Sequence, residues 1–411
     1  MQPTPSPNVS NLPDNVDPSQ VFDFDIYHDE GLLEDLHLGY RALQLKAPEI
    51  FWTPRNGGHW MVTRNELVQR ILKDPANFSN AEIEIPKTQS PHKQIPINLD
   101  PPEHTPYRNM LMRHFMPRVV AGLDESMQRW SRTVIDRAYA AGHCEFTEDL
   151  GAAFPVFVFM EMVGLPFDRF AYFRDIVTEF FSHISKERRI ELQETIYAEI
   201  DAIVTERRAE PRDDLFTKLL AEEVNGRKLT DAELRSIGFL LFAAGLDTVA
   251  NMMSFMFHFL AKRPDLQTLL REDAGMIAPF VDETLRRFPI TNGVRLIVND
   301  IEFAGAQLKA GEMIVAPMSV ANLDDRKYPN PETFDINRAK KDHITFSVGP
   351  HLCLGHYLAR AEMRMFLAEF LGRIPRFSLP EGFKPQYRAG VVMALENLEL
   401  EWEVEREPAL A

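Results

Sequence analysis

Ten residues toward the C-terminal end carry the densest chemistry in this sequence: Phe346-Ser-Val-Gly349-Pro-His351-Leu-Cys353-Leu-Gly355. A glycine- and proline-bearing loop delivers one cysteine directly before a helix-forming stretch, HYLARAEMRMFLAEFLGRI. A helix start offers free N–H groups and the positive end of aligned peptide dipoles, and both favour thiolate over thiol. The flanking glycines let the main chain come close to a flat ligand. A cysteine so placed can be a ligand, a nucleophile or simply a small packed hydrophobe. No second cysteine or Cys/His spacing accompanies it, which argues against zinc, and no hydrolase signature lies nearby.

A second pair, Asp247-Thr248, interrupts the most apolar stretch of the chain, GFLLFAAGLDTVANMMSFMFHFLA. Nothing structural requires a carboxylate there, and an unpaired one is costly to bury. A helix-interior threonine can bond the carbonyl four residues back, here Ala244, and bend the helix; the bland alternative is a threonine packed like valine. Ala243, Ala244 and Gly245 have almost no side chain, so a flat group and a diatomic ligand could approach. Basic groups come third. His104 and Arg108 stand four apart, Arg295 opens a strand and His351 lies two residues before Cys353. Such groups, forked guanidinium above all, suit carboxylate ligands. Glu283 and Arg286, three apart, share one helical face and read as an ion pair.

The elements that position these groups are mostly helical. Thr230-Asp-Ala-Glu233 fits a capping box, and from there to Lys262 the pattern predicts one central helix of about 32 residues, roughly 48 Å long. Apolar on nearly all sides, it must cross the middle of the molecule. Helices are also predicted over Val119–Ala141, ending at Gly142, and over Glu191–Arg208; Pro264 ends the central helix. Strands are few. IFWTP and HWMVT flank Asn56-Gly57 as a hairpin, RLIV, IEFAG and EMIVAP fall between Arg295 and Pro317, and VVMAL and LELEWEV lie near the C-terminus. The fold class is mainly α with a minor, scattered β part. Residues 1–20, rich in Pro, Ser and Asn, read as a flexible arm, and 21–411 as a single domain.

Composition narrows the function classes. With 45 Lys+Arg against 61 Asp+Glu the net charge is −16, so the overall field holds neither nucleic acid nor an anionic membrane. Two cysteines, Cys144 and Cys353, give no disulfide framework, which fits a reducing cytoplasm. The N-terminal residues lack a secretory pattern, and no uninterrupted apolar run is long enough for a bilayer span. Arg360 and Arg364, four apart, join Lys340 and Lys341 as a basic patch that would steer an acidic partner.

The motif Phe-x-x-Gly-x-His-x-Cys-x-Gly resembles the haem-thiolate loop of the cytochrome P-450 family at every fixed position. Three further motifs resemble the family's in order and spacing: Glu283-Thr-Leu-Arg286, Pro331-Glu-Thr-Phe-Asp-Ile-Asn-Arg338, and Ala244-Gly-Leu-Asp-Thr248. LFAAGLDTVANMMSF, DPPEHTPYR and HLCLGHYLAR are similar to the soluble bacterial camphor-hydroxylating group. The resemblance implies haem b held by Cys353, with His104, Arg108, Arg295 and His351 at its propionates and Asp247 and Thr248 relaying protons to bound dioxygen. It implies a buried network of Glu283, Arg286 and Arg338 behind the haem. With no flavin fingerprint in the chain, electrons would come from an iron–sulfur ferredoxin and its NAD(P)H-dependent reductase. The implied activity is hydroxylation of an unactivated C–H bond in a small, apolar terpenoid. Ile97, Leu240, Ala243, Thr291, Val294, Val391 and Val392 would line the pocket, an aliphatic surface with one hydroxyl and no site for a charge. His92 or Lys93 would stand nearest to where the camphor-hydroxylating relatives place a tyrosine, and His92 could donate an equivalent bond. A peroxide-driven enzyme, or a haem-thiolate protein that binds ligand without turnover, is the alternative.

Overall fold

The computed structural model describes residues 12–88, 93–181 and 185–404. Helices dominate, and the largest sheet has five strands in the spatial order Ile50–Thr53, His59–Val62, Met313–Pro317, Asn292–Ile297 and Phe78–Ser79. The expected hairpin is its first pair, antiparallel with Thr53 opposite His59. Its turn passes through left-handed backbone at Asn56 (φ 54°) and Gly57 (φ 85°), conformations that asparagine and glycine adopt most readily. Below it, the C-terminal strand Glu399–Glu401 pairs with His143–Glu145, which places Cys144 opposite Leu400 as a packed core residue.

The central helix begins as expected: the Thr230 side chain accepts from the Glu233 amide while Glu233 reaches back to Thr230. It is not continuous, however. Asp231–Leu246 and Thr248–Ala261 are separate helical segments joined at Asp247 (φ −113°, ψ −35°). The first segment packs into a cluster with helices Ala153–Val163 and Lys186–Ala209, the second into the main core around the sheet. The break therefore falls where two hydrophobic cores meet. Asp231–Ala261 is long and apolar enough to cross a membrane, but most of it is buried inside the protein.

Three boundaries differ from the sequence reading. The helix expected over Val119–Ala141 is two, Pro117–Ala121 and Asp124–Tyr139, because the chain turns at Gly122. The helix expected from Glu191 starts earlier, at Lys186, where Ser185 caps it by accepting from the Arg188 amide. Residues 12–20, assigned to the flexible arm, are anchored: Val16 joins the core, and Asn15 donates to the Gln307 carbonyl at 2.7 Å. The remainder of that arm lies outside the described residues.

Glu283 and Arg286 are fully buried, side by side on the helix Ile277–Arg287. Their two-pronged contact, 2.8 and 2.9 Å, is joined by Arg338 at 3.1 Å from the same Glu283 oxygen. The remaining guanidinium N–H groups of Arg286 donate to the carbonyls of Asn322, Pro331 and Thr333. Every charge in the knot is thus compensated by hydrogen bonds as well as by an opposite charge, which is what makes burial tolerable. Glu283→Gln would leave two guanidinium groups short of a counter-charge, and a loss of about 3–5 kcal/mol is expected. Urea unfolding followed by far-UV circular dichroism measures it; a midpoint equal to the parent's would contradict the assigned role.

Candidate active site

The cysteine loop is shaped by its own backbone. The Cys353 amide donates to the Phe346 carbonyl at 2.7 Å, closing the loop on itself. Gly349 sits at φ 78°, and a Cβ there would meet the Leu72 carbonyl at 2.7 Å, so the loop lies directly on the end of the helix Asn65–Lys73. The helix His356–Arg373 then starts three residues beyond Cys353. The thiol has accessible surface, yet burial is the largest influence on it and pushes its pKa up. Both hold because the accessible surface faces a hollow inside the molecule. The Gly355 amide, Arg108 and Arg360 pull the thiol back down without prevailing. The Gly355 amide at the helix start favours thiolate, and burial opposes it more strongly.

Across the hollow lies the helix break. Ala244 is exposed although Leu241, Phe242, Val249 and Ala250 around it are buried, so its surface too faces inward. At Gly245 a Cβ would strike the Phe159 ring at 2.7 Å; glycine lets that ring wedge against the helix beside the break. Thr248 Oγ1 donates to the Ala244 carbonyl at 2.9 Å. Asp247 is enclosed, and burial holds its carboxyl above the usual range, against Arg388 and Asn251, which lower it. Asn251 Nδ2 donates to Asp247 Oδ2 at 2.7 Å, and Arg388 Nη2 stands 3.8 Å from the same oxygen.

The four basic groups converge. The rings of His104 and His351 are 4.4 Å apart, and Arg295 and Arg108 both act on His351. Burial, then Arg295, His104 and Arg108, push the His351 pKa down to about 3, and its buried Nε2 has no hydrogen-bond partner. Arg295 is pushed down to about 10 by burial, with only the Val294 carbonyl accepting from it at 2.8 Å. Among the described residues, none of the four is paired with a carboxylate. Arg295 and Arg108, desolvated and without an ion-paired carboxylate, suit an anion between them, although Asp100 supports Arg295 from a distance. The donor set fits a flat, dianionic porphyrin: one enclosed thiol, small residues at the helix break and two arginines without ion-paired carboxylates. No group of three or more His, Cys, Asp or Glu able to hold a metal ion occurs among the described residues. A metal here would take Cys353 as its protein ligand and its other donors from a macrocycle.

The cavity wall is assembled from distant segments. Ser236 Oγ donates to the Lys93 carbonyl and accepts from the Ile95 amide, which ties the loop bearing Ile97 to the helix face that continues to Leu240 and Ala243. Thr291 bridges Val392, and the Asn292 amide donates to the Val391 carbonyl at 2.9 Å. These six residues are all partly accessible. Val294 is not: only 2 % exposed, it packs in the main core opposite Val315, because alternation along the strand turns it away from the side that Arg295 faces. It is removed from the wall. His92 lies outside the described residues.

The expected basic patch is also corrected. Arg360 stacks on the Phe346 ring and pairs with Asp282 at 3.1 Å, and Arg364 reaches the same carboxylate at 3.7 Å. Lys341 donates to the Pro279 and Ile336 carbonyls. Arg360 and Lys341 brace the loop, whereas Arg364 stays partly exposed and Lys340 exposed. Sequence reasoning missed Asn251, although its spacing of four from Asp247 was visible, and Arg388, for which no local signal exists. It also missed Glu362, a buried carboxyl pushed up to about 8 by desolvation.

Comparison with known proteins places the geometry in context. A family model described as Cytochrome P450 matches residues 154–399. The protein named "Probable cytochrome P450 127A1" of Sinorhizobium fredii is 32 % identical over 401 residues, 95 % of this chain and 97 % of that one. Two solved structures, those of CYP101J2 and CYP101C1, superpose with a TM-score of 0.90 each, at 34 % and 30 % identity, over 96 % of this chain and 100 % of theirs.

Proposed function

Because this chain belongs to the cytochrome P450 family, whose members bind haem b, we propose that it is a soluble, cytoplasmic, single-domain monooxygenase of small terpenoids, with Cys353 as the axial thiolate. The observation that carries the site assignment is the joint one: an accessible thiol enclosed by the fold, an accessible Ala244 beside a helix break, and four converging basic groups, none ion-paired with a carboxylate among the described residues. Held there, the haem supplies dioxygen activation and the insertion of one oxygen atom into a C–H bond. His104, Arg108, Arg295 and His351 would take its propionates, the two arginines as counter-charges and the two imidazoles as hydrogen-bond donors. Thr248 Oγ1, at the edge of the cavity, would pass a proton inward, and Asp247 would resupply it. The likeness to the two CYP101 structures and the aliphatic lining of Ile97, Leu240, Ala243, Val391 and Val392 support a compact hydrocarbon skeleton as substrate, with Thr291 offering one hydroxyl.

Electrons would come from an iron–sulfur ferredoxin and its NAD(P)H-dependent reductase. With Arg360 and Arg364 engaged by Asp282, the face proposed for that donor is the partly apolar surface of Met112, Met116, Leu352 and Tyr357 around the cysteine loop, rimmed by Lys340 and Arg118. Tyr357→Glu should raise the ferredoxin concentration for half-maximal rate several-fold and leave ligand affinity alone. Unchanged ferredoxin kinetics would move the donor elsewhere.

The decisive experiment is spectroscopic. The parent should show the red-shifted Soret band of a ferrous carbon monoxide thiolate complex; Cys353→His should lose it, and Cys144→Ser should keep it. A normal band in the Cys353 variant would sink the assignment. Thr248→Ala should consume NADH at a comparable rate while diverting most of it to peroxide. Product formed at the parent's yield per NADH would remove Thr248 from the relay.

A further inference from the structure

The first segment of the central helix, Asp231–Leu246, is covered unevenly. A Cβ on Gly238 would meet Ile200 at 2.9 Å and one on Gly245 would meet Phe159 at 2.7 Å, so the helices Lys186–Ala209 and Ala153–Val163 pack on one side of it. By helical period those two glycines lie on the face opposite Ser236, Leu240 and Ala243. On that opposite face Leu240, Ala243, Ala244, Asp247 and Thr248 keep accessible surface, whereas Leu241 and Phe242 between them are buried. The accessible positions recur every three or four residues, the spacing of a single stripe. Ser236 is the next step of the stripe toward the helix start. There the accessibility stops, for Ser236 is only 8 % exposed.

The segment lying on Ser236 is Lys93–Ile95. Ser236 Oγ donates to the Lys93 carbonyl at 2.7 Å and accepts from the Ile95 amide at 2.8 Å. One hydroxyl thus satisfies a main-chain acceptor and a main-chain donor, as a strand partner would. Ile95 packs against the same hydrophobic cluster as Ala243. The far end of this loop is held from the sheet. Asn80, directly after the strand Phe78–Ser79, donates from Nδ2 to the Ile97 carbonyl at 3.0 Å, and its own carbonyl accepts from Asn98 Nδ2 at 3.1 Å. Between the two anchors the Gln94 amide donates to Asn98 Oδ1 at 2.9 Å. The loop is therefore a bridge from the sheet to the central helix, with Ser236 as its footing on the helix.

We propose that Ser236 is a positioning residue that sets the length of ligand the cavity admits: its hydroxyl pins Lys93–Ile95 across the end of the stripe, so a ligand lying along Ala243 and Leu240 meets main chain one turn further on. This deepens the monooxygenase reading of the cavity and rests on it. The substrate class it selects is a compact hydrocarbon skeleton without a long tail. Ser236→Ala removes the donor and the acceptor together, leaving the Lys93 carbonyl and the Ile95 amide to turn to water. The methyl that remains extends the aliphatic stripe by one turn, about 6 Å at the helical rise.

The test uses the haem-loaded full chain and cyclohexanones bearing a straight alkyl tail, from methyl to hexyl, opposite the carbonyl. These probes are uncharged and differ only in length. Dissociation constants are read from the Soret spin shift, and opening of the loop from hydrogen exchange of the peptide spanning Lys93–Ile97. In the parent, affinity should rise over the first carbons of the tail and then fall. In Ser236→Ala the optimum should move to longer tails, with the hexyl ketone bound about fivefold tighter or more and the methyl ketone changed by less than about twofold. Exchange at the Ile95 amide should quicken by about tenfold. Ser236→Thr keeps the hydroxyl and should follow the parent in both readouts. A merely structural role would weaken the whole series alike and leave the optimum where it was. The same optimum in the parent and Ser236→Ala, or unchanged exchange in that variant, overturns the inference alone. If no ketone shifts the parent's spin state, the hydrocarbon reading of the cavity falls and this inference falls with it.

Discussion

The structure depends on one buried ion cluster. Glu283, Arg286 and Arg338 lie away from the hollow, yet their hydrogen bonds reach the chain that leads into the cysteine loop. Arg286 takes the Asn322 carbonyl, Asn322 in turn holds the Ile344 amide and the Thr345 hydroxyl, and Thr345 donates back to the Leu285 carbonyl on the helix that carries the cluster. This closed circuit fixes the residues immediately before Phe346, whose carbonyl receives the Cys353 amide. A buried pair alone is weak evidence for stability. Here its value is positional, because it converts a long irregular stretch into a rigid approach to a single sulfur atom.

Around that sulfur the protein accepts costs that only a ligand relieves. An acidic chain, net −16, gathers two arginines and two histidines at one internal edge with no ion-paired carboxylate among the described residues, only Asp100 acting from a distance. Their desolvation is a standing penalty on the empty fold, and a dianionic, flat group binding the native state alone would stabilise it by mass action. Cofactor retention and fold stability are thus one property. The same trade appears at Asp247, where burial raises the acid and a remote arginine tempers it.

Local chemistry was legible in the sequence to the extent that it depended on neighbours in the chain. The Thr230–Glu233 cap, the Asn56-Gly57 hairpin, the pairing of Glu283 with Arg286 and the return of Thr248 to Ala244 each follow from spacing, and each is present. What was misread depended on distant segments. Arg360 and Arg364 looked available because Asp282 lies about eighty residues away in sequence. Val294 looked like cavity wall because a one-residue alternation decides which of two neighbours faces inward. Desolvation at Cys353 and the reach of Arg388 arise only when remote pieces fold together.

The bend that carries Val391 and Val392 is held through main-chain atoms: the Asn292 amide takes the Val391 carbonyl, its side chain donates to the Gly390 carbonyl at 2.7 Å, and the Met393 amide returns to the Ile290 carbonyl. None of these bonds involves a side chain of the bend itself; the one side-chain donor is Asn292. The two valines are therefore interchangeable fittings on a fixed bracket. Diversification of this chain toward ligands of other sizes can run through those two positions without disturbing the machinery beneath them.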